Sequence, residues 1–414
     1  MKILFVTPVV PTETDGRRPY NFLKYLAPRH EVHLIALKLP VQTPTAARHI
    51  QSLGVRVTTV DIVPFRSVIH CAAGLAARKP LRVSWCRSAE MRETIERVLS
   101  RHTFDVAHLD RLRMGQYTPW IPHPKLVDIT DALMLYLERS ERYRRKKMER
   151  LVDHWEMKTI PRFERWVLER VNAALVCSPI DARYLQQAHP GHTFDIIENS
   201  VDPAQFVPQS HESGHQPRCV ITGTLFYFGN IDSVLYYHDE ILPRLRQDIP
   251  HLETHIIGTR PVREIQKLDK RQGIQIFTDV ARMQDYLFQD DIYLCPLRVA
   301  AGVRNKLLEA MACAMAVVTT RLGAEGLNVQ HGREVLFAET PDEFSHCVQK
   351  LMASPELRRQ LGRNGRQYVL THHQNDVLGK KLEALYQRLV QSGRTADGAA
   401  REANVSLSSR PNPV

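Results

Sequence analysis

No apolar run in this 414-residue chain reaches the length that spans a bilayer, so no membrane-crossing helix is expected. Cysteine is sparse and unpatterned. The seven (Cys71, Cys86, Cys177, Cys219, Cys295, Cys313, Cys347) are odd in number and lack C-x-x-C spacing. Four sit in apolar strand or helix contexts, which predicts reduced core thiols rather than disulfides or a thiolate metal site. The loop at 12–18, TETDGRR, holds one glycine and no G-x-G-x-x-G, which argues against a dinucleotide dehydrogenase. No Ser-His-Asp set, catalytic carboxylate pair or metal-ligand spacing is evident, so no metal is expected. The opening MKILFVTPVV has neither the length of a secretory h-region nor a small-residue cleavage site. It reads as a first buried strand, and the expected location is cytoplasmic, peripheral at the inner face of the cell membrane.

What the chain does contain is ordinary globular material, 43% hydrophobic and 24% charged, enough for two domains. The charge is uneven. Residues 1–200 hold 31 Lys and Arg against 21 Asp and Glu, while the other 214 hold 25 against 24. A basic first half suits anionic partners such as acidic lipid headgroups or phosphate-bearing acceptors. Nucleic acid is not expected, because no recognition motif or interleaved aromatic stripe accompanies the charge.

The order of elements is α/β. KILFVT, EVHLIAL, VRVTTV, FDVAHL, KLVDIT and AALVCS read as strands separated by helices, a doubly wound pattern. Residues 208–218, PQSHESGHQPR, have linker composition. CVITG, LETHIIG, IQIFTD, DIYLCPL and AVVTT then repeat the pattern. These boundaries give a first domain at 1–207, a second at 208–365, a terminal helix at 366–391 and a polar tail at 392–414 expected to be disordered.

The stretch at 298–327, RVAAGVRNKLLEAMACAMAVVTTRLGAEGL, carries the most chemistry. Gly302 lets backbone approach a ligand, and VRNKLLEAMACA is a strong helix former. Arg304 and Lys306 fall in its first turn, where the helix dipole is already positive. A bound anion resolves that conflict and predicts a phosphate site; a solvated face is the alternative. Glu309, further along, can accept two hydrogen bonds from a ribose diol, or stand as a solvated helix residue.

This stretch resembles the donor-site motif of the retaining glycosyltransferase family 4, enzymes of GT-B fold. LLEAMACAMAVV supplies the family's second motif Glu as Glu309, and GAEGL supplies the following turn. Ala301 stands where the family has its first Glu, and Ala316 where it has the Pro of PVV. The form GVRNKLLEAMA after PLR, with ITGTLFYFGNIDSVLYY and DVAHLDRLRMGQY, also resembles a subgroup associated with bacterial exopolysaccharide and exosortase gene clusters. The likeness implies two Rossmann-like domains facing a central cleft, with the last helix crossing back to the first. The co-substrate it implies is a nucleotide-diphosphate sugar, with no further cofactor.

Other candidates follow by resemblance. Gly302, Val303, Asn305 and Glu309 join Gly223 and Thr224 in the donor site, although the loop after CVITGT lacks the basic residue usual there. A plain tight turn is the alternative at Gly223, and Asn230 is expected to cap the helix that follows. Asp279 and Val280 are expected beside the base, or as an ordinary turn. Asp131, with Arg304 and Lys306, forms the expected catalytic set. It either touches the transferred sugar, with Asp128 in the same region, or caps the next helix. Gly16, Arg17, His108 and Asp110 are acceptor-side candidates, with a plain turn or a structural histidine as alternatives. The basic segment 138–158, with Arg142, Arg145 and Lys146 on one helix face, is either a membrane-docking surface or a solvated one.

The activity these readings imply is transfer of a sugar, with retention, from a nucleotide-diphosphate donor to a growing, lipid-linked glycan in bacterial polysaccharide synthesis. A non-catalytic nucleotide-sugar or glycan binding protein and a GT-B-fold sugar-nucleotide epimerase are the alternatives.

Overall fold

The computed structural model describes residues 1–408 except Val41, Thr43, Arg145, Ser213 and Gly214, with Pro44 and 394–408 described by backbone alone. The first sheet contains β1 (Lys2–Thr7), β2 (Glu31–Lys38), β3 (Arg56–Asp61), β4 (Val106–Asp110), β5 (Lys125–Thr130), β6 (Ala173–Val176) and β7 (Phe194–Ile196), in the order β3-β2-β1-β4-β5-β6-β7. The second contains β8 (Cys219–Thr224), β9 (Thr254–Thr259), β10 (Ile274–Thr278), β11 (Ile292–Cys295), β12 (Ala316–Thr319) and β13 (Leu336–Phe337), ordered β10-β9-β8-β11-β12-β13. Every pairing is parallel. Parallel strands are covered by helices on both faces, which is why β4, β11 and β12 are buried at every position. The edge strands β7 and β13 are additions to the sequence reading, at three and two residues too short for a periodic signal.

In both sheets the strand order reverses between the first and fourth strands. The strands' carboxyl ends there open a crevice suited to ligands. The two crevices face each other.

The helix Asn375–Ser408 returns to the first domain. Leu378, Leu382, Leu385, Tyr386 and Leu389 form its helical stripe and join a core containing Phe5, Leu23 and Leu126. Full burial of each such side chain contributes about 1.5–3 kcal/mol. The crossing begins later than the expected 366, because the helix Pro355–His372 first completes its packing on the second domain. His373 ends that helix and hydrogen-bonds the Asn199 carbonyl at 3.0 Å. The Asn375–Ser408 backbone stays helical through the region expected to be a disordered tail, where Ala, Arg and Glu favour helix; 409–414 lie outside the described residues.

The basic segment is not one helix. Leu133–Glu141 ends, and Lys147–Leu168 begins after a break, so Arg142 and Lys146 share no face with it. Arg145 lies outside the described residues. Arg144 pairs with Asp153 and Glu149, both at 2.8 Å, and lies over the Phe228 ring at 4.1 Å. These intramolecular partners favour the break over a continuous cationic face.

Candidate active site

Between the two crevices lies a cavity of about 400 Å³. The first domain lines it with Gly16, Arg17, Arg111 and Asp131, and the second with Gly223, Thr224 and the run from Ala300 to Lys306, followed by Glu309. Gly302 brings the second domain close against the first. It has φ 79°, and a Cβ there would stand 2.8 Å from Cys177 Sγ and 3.0 Å from Asp131 Cβ. Only glycine fits that position without displacing the first domain. Asn199 Nδ2 donates to Val303 O at 2.8 Å, and Arg139 donates to Ala300 O at 2.8 Å, fixing the loop from both sides.

Arg304 occupies the N-cap of the helix Asn305–Ala312, one position before the helix proper. One of its nitrogens meets the Ala301 carbonyl, while Nε and Nη2 are buried without a partner. Unpaired buried guanidinium N–H groups are costly unless a ligand completes them. Lys306 Nζ donates to Asn230 Oδ1 at 2.9 Å. Burial lowers the Lys306 pKa, and the Arg304 charge adds to that. With no acid in the first turn, two cations and the helix N-terminus converge on the cavity. That combination fits a diphosphate.

Glu309 meets Arg17 of the first domain in an ion pair, yet its Oε1 makes no aligned hydrogen bond. Arg17 also donates from Nε to Glu13 O at 2.7 Å. Burial brings the Arg17 pKa down to about 10, with Glu13 opposing it. Arg17, expected on the acceptor side, therefore contacts the residue expected to hold ribose. The two expected roles converge at one point in the cleft.

Asp131 lines the cavity with Arg111, whose Nη1 lies 3.3 Å from its Oδ1. It caps no helix. Ala132 takes the N-cap position of Leu133–Glu141, and its N–H donates to Asp181 at 2.9 Å. Burial would lower the Arg111 pKa, and the carboxylates of Asp131, Asp110 and Asp128 more than reverse it.

Four expected site residues, His108, Asp110, Asp279 and Val280, do not line the cavity, and neither does Asp128. His108 is in the first-domain interior, stacked on Phe5 with centroids 4.0 Å apart and bonded through Nδ1 to the Tyr386 hydroxyl at 2.7 Å. The β4 register against β1 puts it opposite Phe5, away from any acceptor. Asp110 is buried beside it in sequence, its carboxyl pushed up to about 7 by burial against the pull of Arg111. Asp128 is buried too, paired with Arg18 at 2.6 Å. Asp279 takes a left-handed turn with φ 51°, and Val280 packs against the second-domain core. Met283, beyond that turn, reaches the cavity instead.

Sequence reasoning missed Arg111, Asn199 and Tyr227 and assigned Asn230 the wrong task. Tyr227, not Asn230, is the N-cap of Phe228–Tyr236; Asn230 bonds Thr224 O at 3.0 Å and positions Lys306. The cation lacking after β8 has a neighbour after β9, where Arg260 lies over Phe226 at 4.1 Å and 3.9 Å from Asp15. Folding also gathers His211, His215 and Asp291, which the linear spacing did not suggest. Arg218 bonds both Asp291, at 3.1 Å, and His211, at 2.6 Å, and none of these residues lines the cleft.

Residues 216–354 match the family model described as Glycosyl transferases group 1. This stretch is similar to that family and makes up about a third of the chain. It contains the whole second-domain side of the cleft. Two curated relatives are similar in sequence. A 44.6 kDa protein in the cps region of Klebsiella pneumoniae is 26% identical over 142 residues, covering 32% of this chain and 37% of the relative. Glycosyltransferase 1 domain-containing protein 1 of Xenopus tropicalis is 24% identical over 189 residues, covering 44% and 54%. The chain thus spans about a third to a half of these relatives. Among solved structures, sucrose-phosphate synthase of Thermosynechococcus elongatus superposes with a TM-score of 0.67 at 15% identity, over 95% of this chain and 100% of that one. Anabaena HepE in complex with UDP and glucose gives 0.63 at 12% identity, over 94% and 100%. The fold of the two domains is GT-B.

Proposed function

We propose that this protein transfers a sugar from a nucleotide-diphosphate donor to a growing, lipid-linked glycan, with retention at the anomeric carbon. The observation that carries the reading is Arg304, with two unpartnered buried N–H groups beside Lys306 at a helix N-terminus inside the interdomain cleft. Uridine diphosphate is the first donor nucleotide to test, since the similar HepE structure holds UDP. The polysaccharide setting, and action at the cytoplasmic face of a membrane, rest on the subgroup that residues 298–327 resemble. Among the described residues no helix is long and apolar enough to cross a membrane.

In the reaction the bond between the sugar's anomeric carbon and the diphosphate oxygen breaks, and the acceptor oxygen bonds to the same face of that carbon. The acceptor hydroxyl's proton passes to the departing phosphate oxygen, so no side-chain base is required. Charge growing on the diphosphate is the main burden, and Arg304, Lys306 and the helix N-terminus are arranged to receive it. Asp131, held by Arg111, faces the same cavity and stabilises positive charge on the sugar ring. Glu309 takes the ribose hydroxyls once Arg17 releases it.

Ala301, lining the cleft where the family has Glu, favours a second reading, donor binding without transfer. Incubating the protein with radiolabelled UDP-sugars and membrane lipid extract separates the two. Label appearing in the lipid fraction supports transfer. Stoichiometric UDP-sugar binding without label transfer or hydrolysis supports the binding protein.

A further inference from the structure

The helix Pro64–Ala76 is turned inside out. Its buried positions are Ser67 and Gly74, small residues one heptad apart, while its large apolar side chains face solvent. Ser67 Oγ donates to the Trp85 carbonyl at 2.9 Å, and a Cβ on Gly74 would stand 2.2 Å from Ser84 Oγ. This close small-residue packing holds the helix to the first domain without using its apolar face. Phe65 is 74% exposed, Val68 57%, Ile69 51% and Leu75 46%. They recur at helical spacing and form one stripe. A second exposed patch, Met148, Leu151 and Val152, lies on Lys147–Leu168. Trp155 of that helix donates to Lys79 O at 3.1 Å, which sets it beside the end of the first.

Cations dominate the charge around the stripe, with Asp61 and Glu90 sharing a groove with Arg66 and Arg87. Residues 62–89 contain five Lys and Arg and no Asp or Glu. Arg66, Arg78, Lys79 and Arg87 are exposed and make no ion pair among the described residues. Behind the helix a cavity of about 690 Å³ adds Arg92 and Arg162, with the aromatic rings of Trp120, Phe163 and Trp166.

We infer that Pro64–Ala76 and its basic flanks form a docking surface for an anionic phospholipid bilayer. An exposed apolar stripe is stable in water only at a cost that burial would remove. An apolar face rimmed by unpaired cations, with aromatic rings beside it, matches the boundary between acyl chains and acidic headgroups. Charge selects this occupant, because a purely apolar partner would leave the cations desolvated and unpaired. The surface differs from the 138–158 segment that sequence alone singled out, whose Arg144 is spent on Glu149, Asp153 and Phe228. The inference is independent of the donor reading, since none of these residues lines the interdomain cleft.

The test is co-sedimentation of the full chain with phosphatidylcholine vesicles, with and without phosphatidylglycerol. The wild type is expected to pellet with the anionic vesicles only, and to be released by salt. Arg66→Ser/Arg78→Ser/Lys79→Ser lowers partitioning roughly a hundredfold, at the usual increment per surface cation. Phe65→Ser/Ile69→Ser abolishes it, while circular dichroism and thermal unfolding stay those of the wild type. Equal binding to neutral vesicles overturns the inference. So does undiminished binding by either variant, or a wild-type dimer that Phe65→Ser/Ile69→Ser disperses without any vesicle binding.

Discussion

Arg17 and Glu309, from different domains, form an ion pair across the cleft where a donor ribose is expected. The Glu309 carboxylate is nearly inaccessible, so the pair both closes the cleft and occupies the ribose acceptor. A nucleotide must exchange one partner for another. In a double-mutant cycle with Arg17→Gln and Glu309→Gln, unfolding in urea should give a coupling of about 1–3 kcal/mol. Strict additivity would show that the contact carries no energy.

Asp110 supplies a pH signature. Burial raises its carboxyl to about 7, with Arg111 opposing and Asp128 reinforcing. In the unfolded chain the group ionises near pH 4, so between about 4 and 7 the native state holds a proton that the unfolded state has lost. Stability from this site is therefore present at low pH and falls as pH rises through 7. Asp110→Asn removes the dependence, and its stability relative to wild type should improve from pH 4 to 7 by a few kcal/mol, roughly 1.4 per unit. A constant difference between variant and wild type across that range would contradict the assignment.

Arg139 clasps the cleft shut, pairing in two-pronged fashion with Glu325 at 2.6 and 2.8 Å while holding the Ala300 carbonyl. Both side chains are partly exposed, so solvent screening limits the pair to about 1 kcal/mol. Arg139→Ala should widen the interdomain angle and weaken UDP binding several-fold. Small-angle scattering and calorimetry would register the change. An unaltered radius of gyration with unaltered affinity would remove the clasp from the account.

The fold was largely legible because strands buried on both faces announce themselves as β-branched runs, as AVVTT and KLVDIT do. The short strands at 194–196 and 336–337 were not, since two or three residues carry no period. Lys306 and Glu309 were legible as residues of one helix, and Arg304 as a charge at its start that conflicts with its dipole. Arg111, Asn199, Asn230 and Arg139 were not, because their partners come from distant segments and nothing local marks them. His108 was misread for a related reason: a strand-end histidine points to cleft or core according to register, which only pairing with Phe5 decides.

The central claim is that Arg304 completes its hydrogen bonds on a diphosphate. Isothermal titration of UDP and of uridine, into the wild type and Arg304→Met, addresses it most directly. Charge-assisted hydrogen bonds contribute about 1.5–3 kcal/mol, so wild type should bind UDP tighter than uridine by roughly tenfold or more. Arg304→Met should close most of that gap while unfolding at no lower a temperature, because the unliganded protein loses two unpaired buried donors. A UDP preference that survives Arg304→Met intact, or no UDP binding by the wild type, would contradict the assignment of this cleft as a nucleotide-diphosphate site.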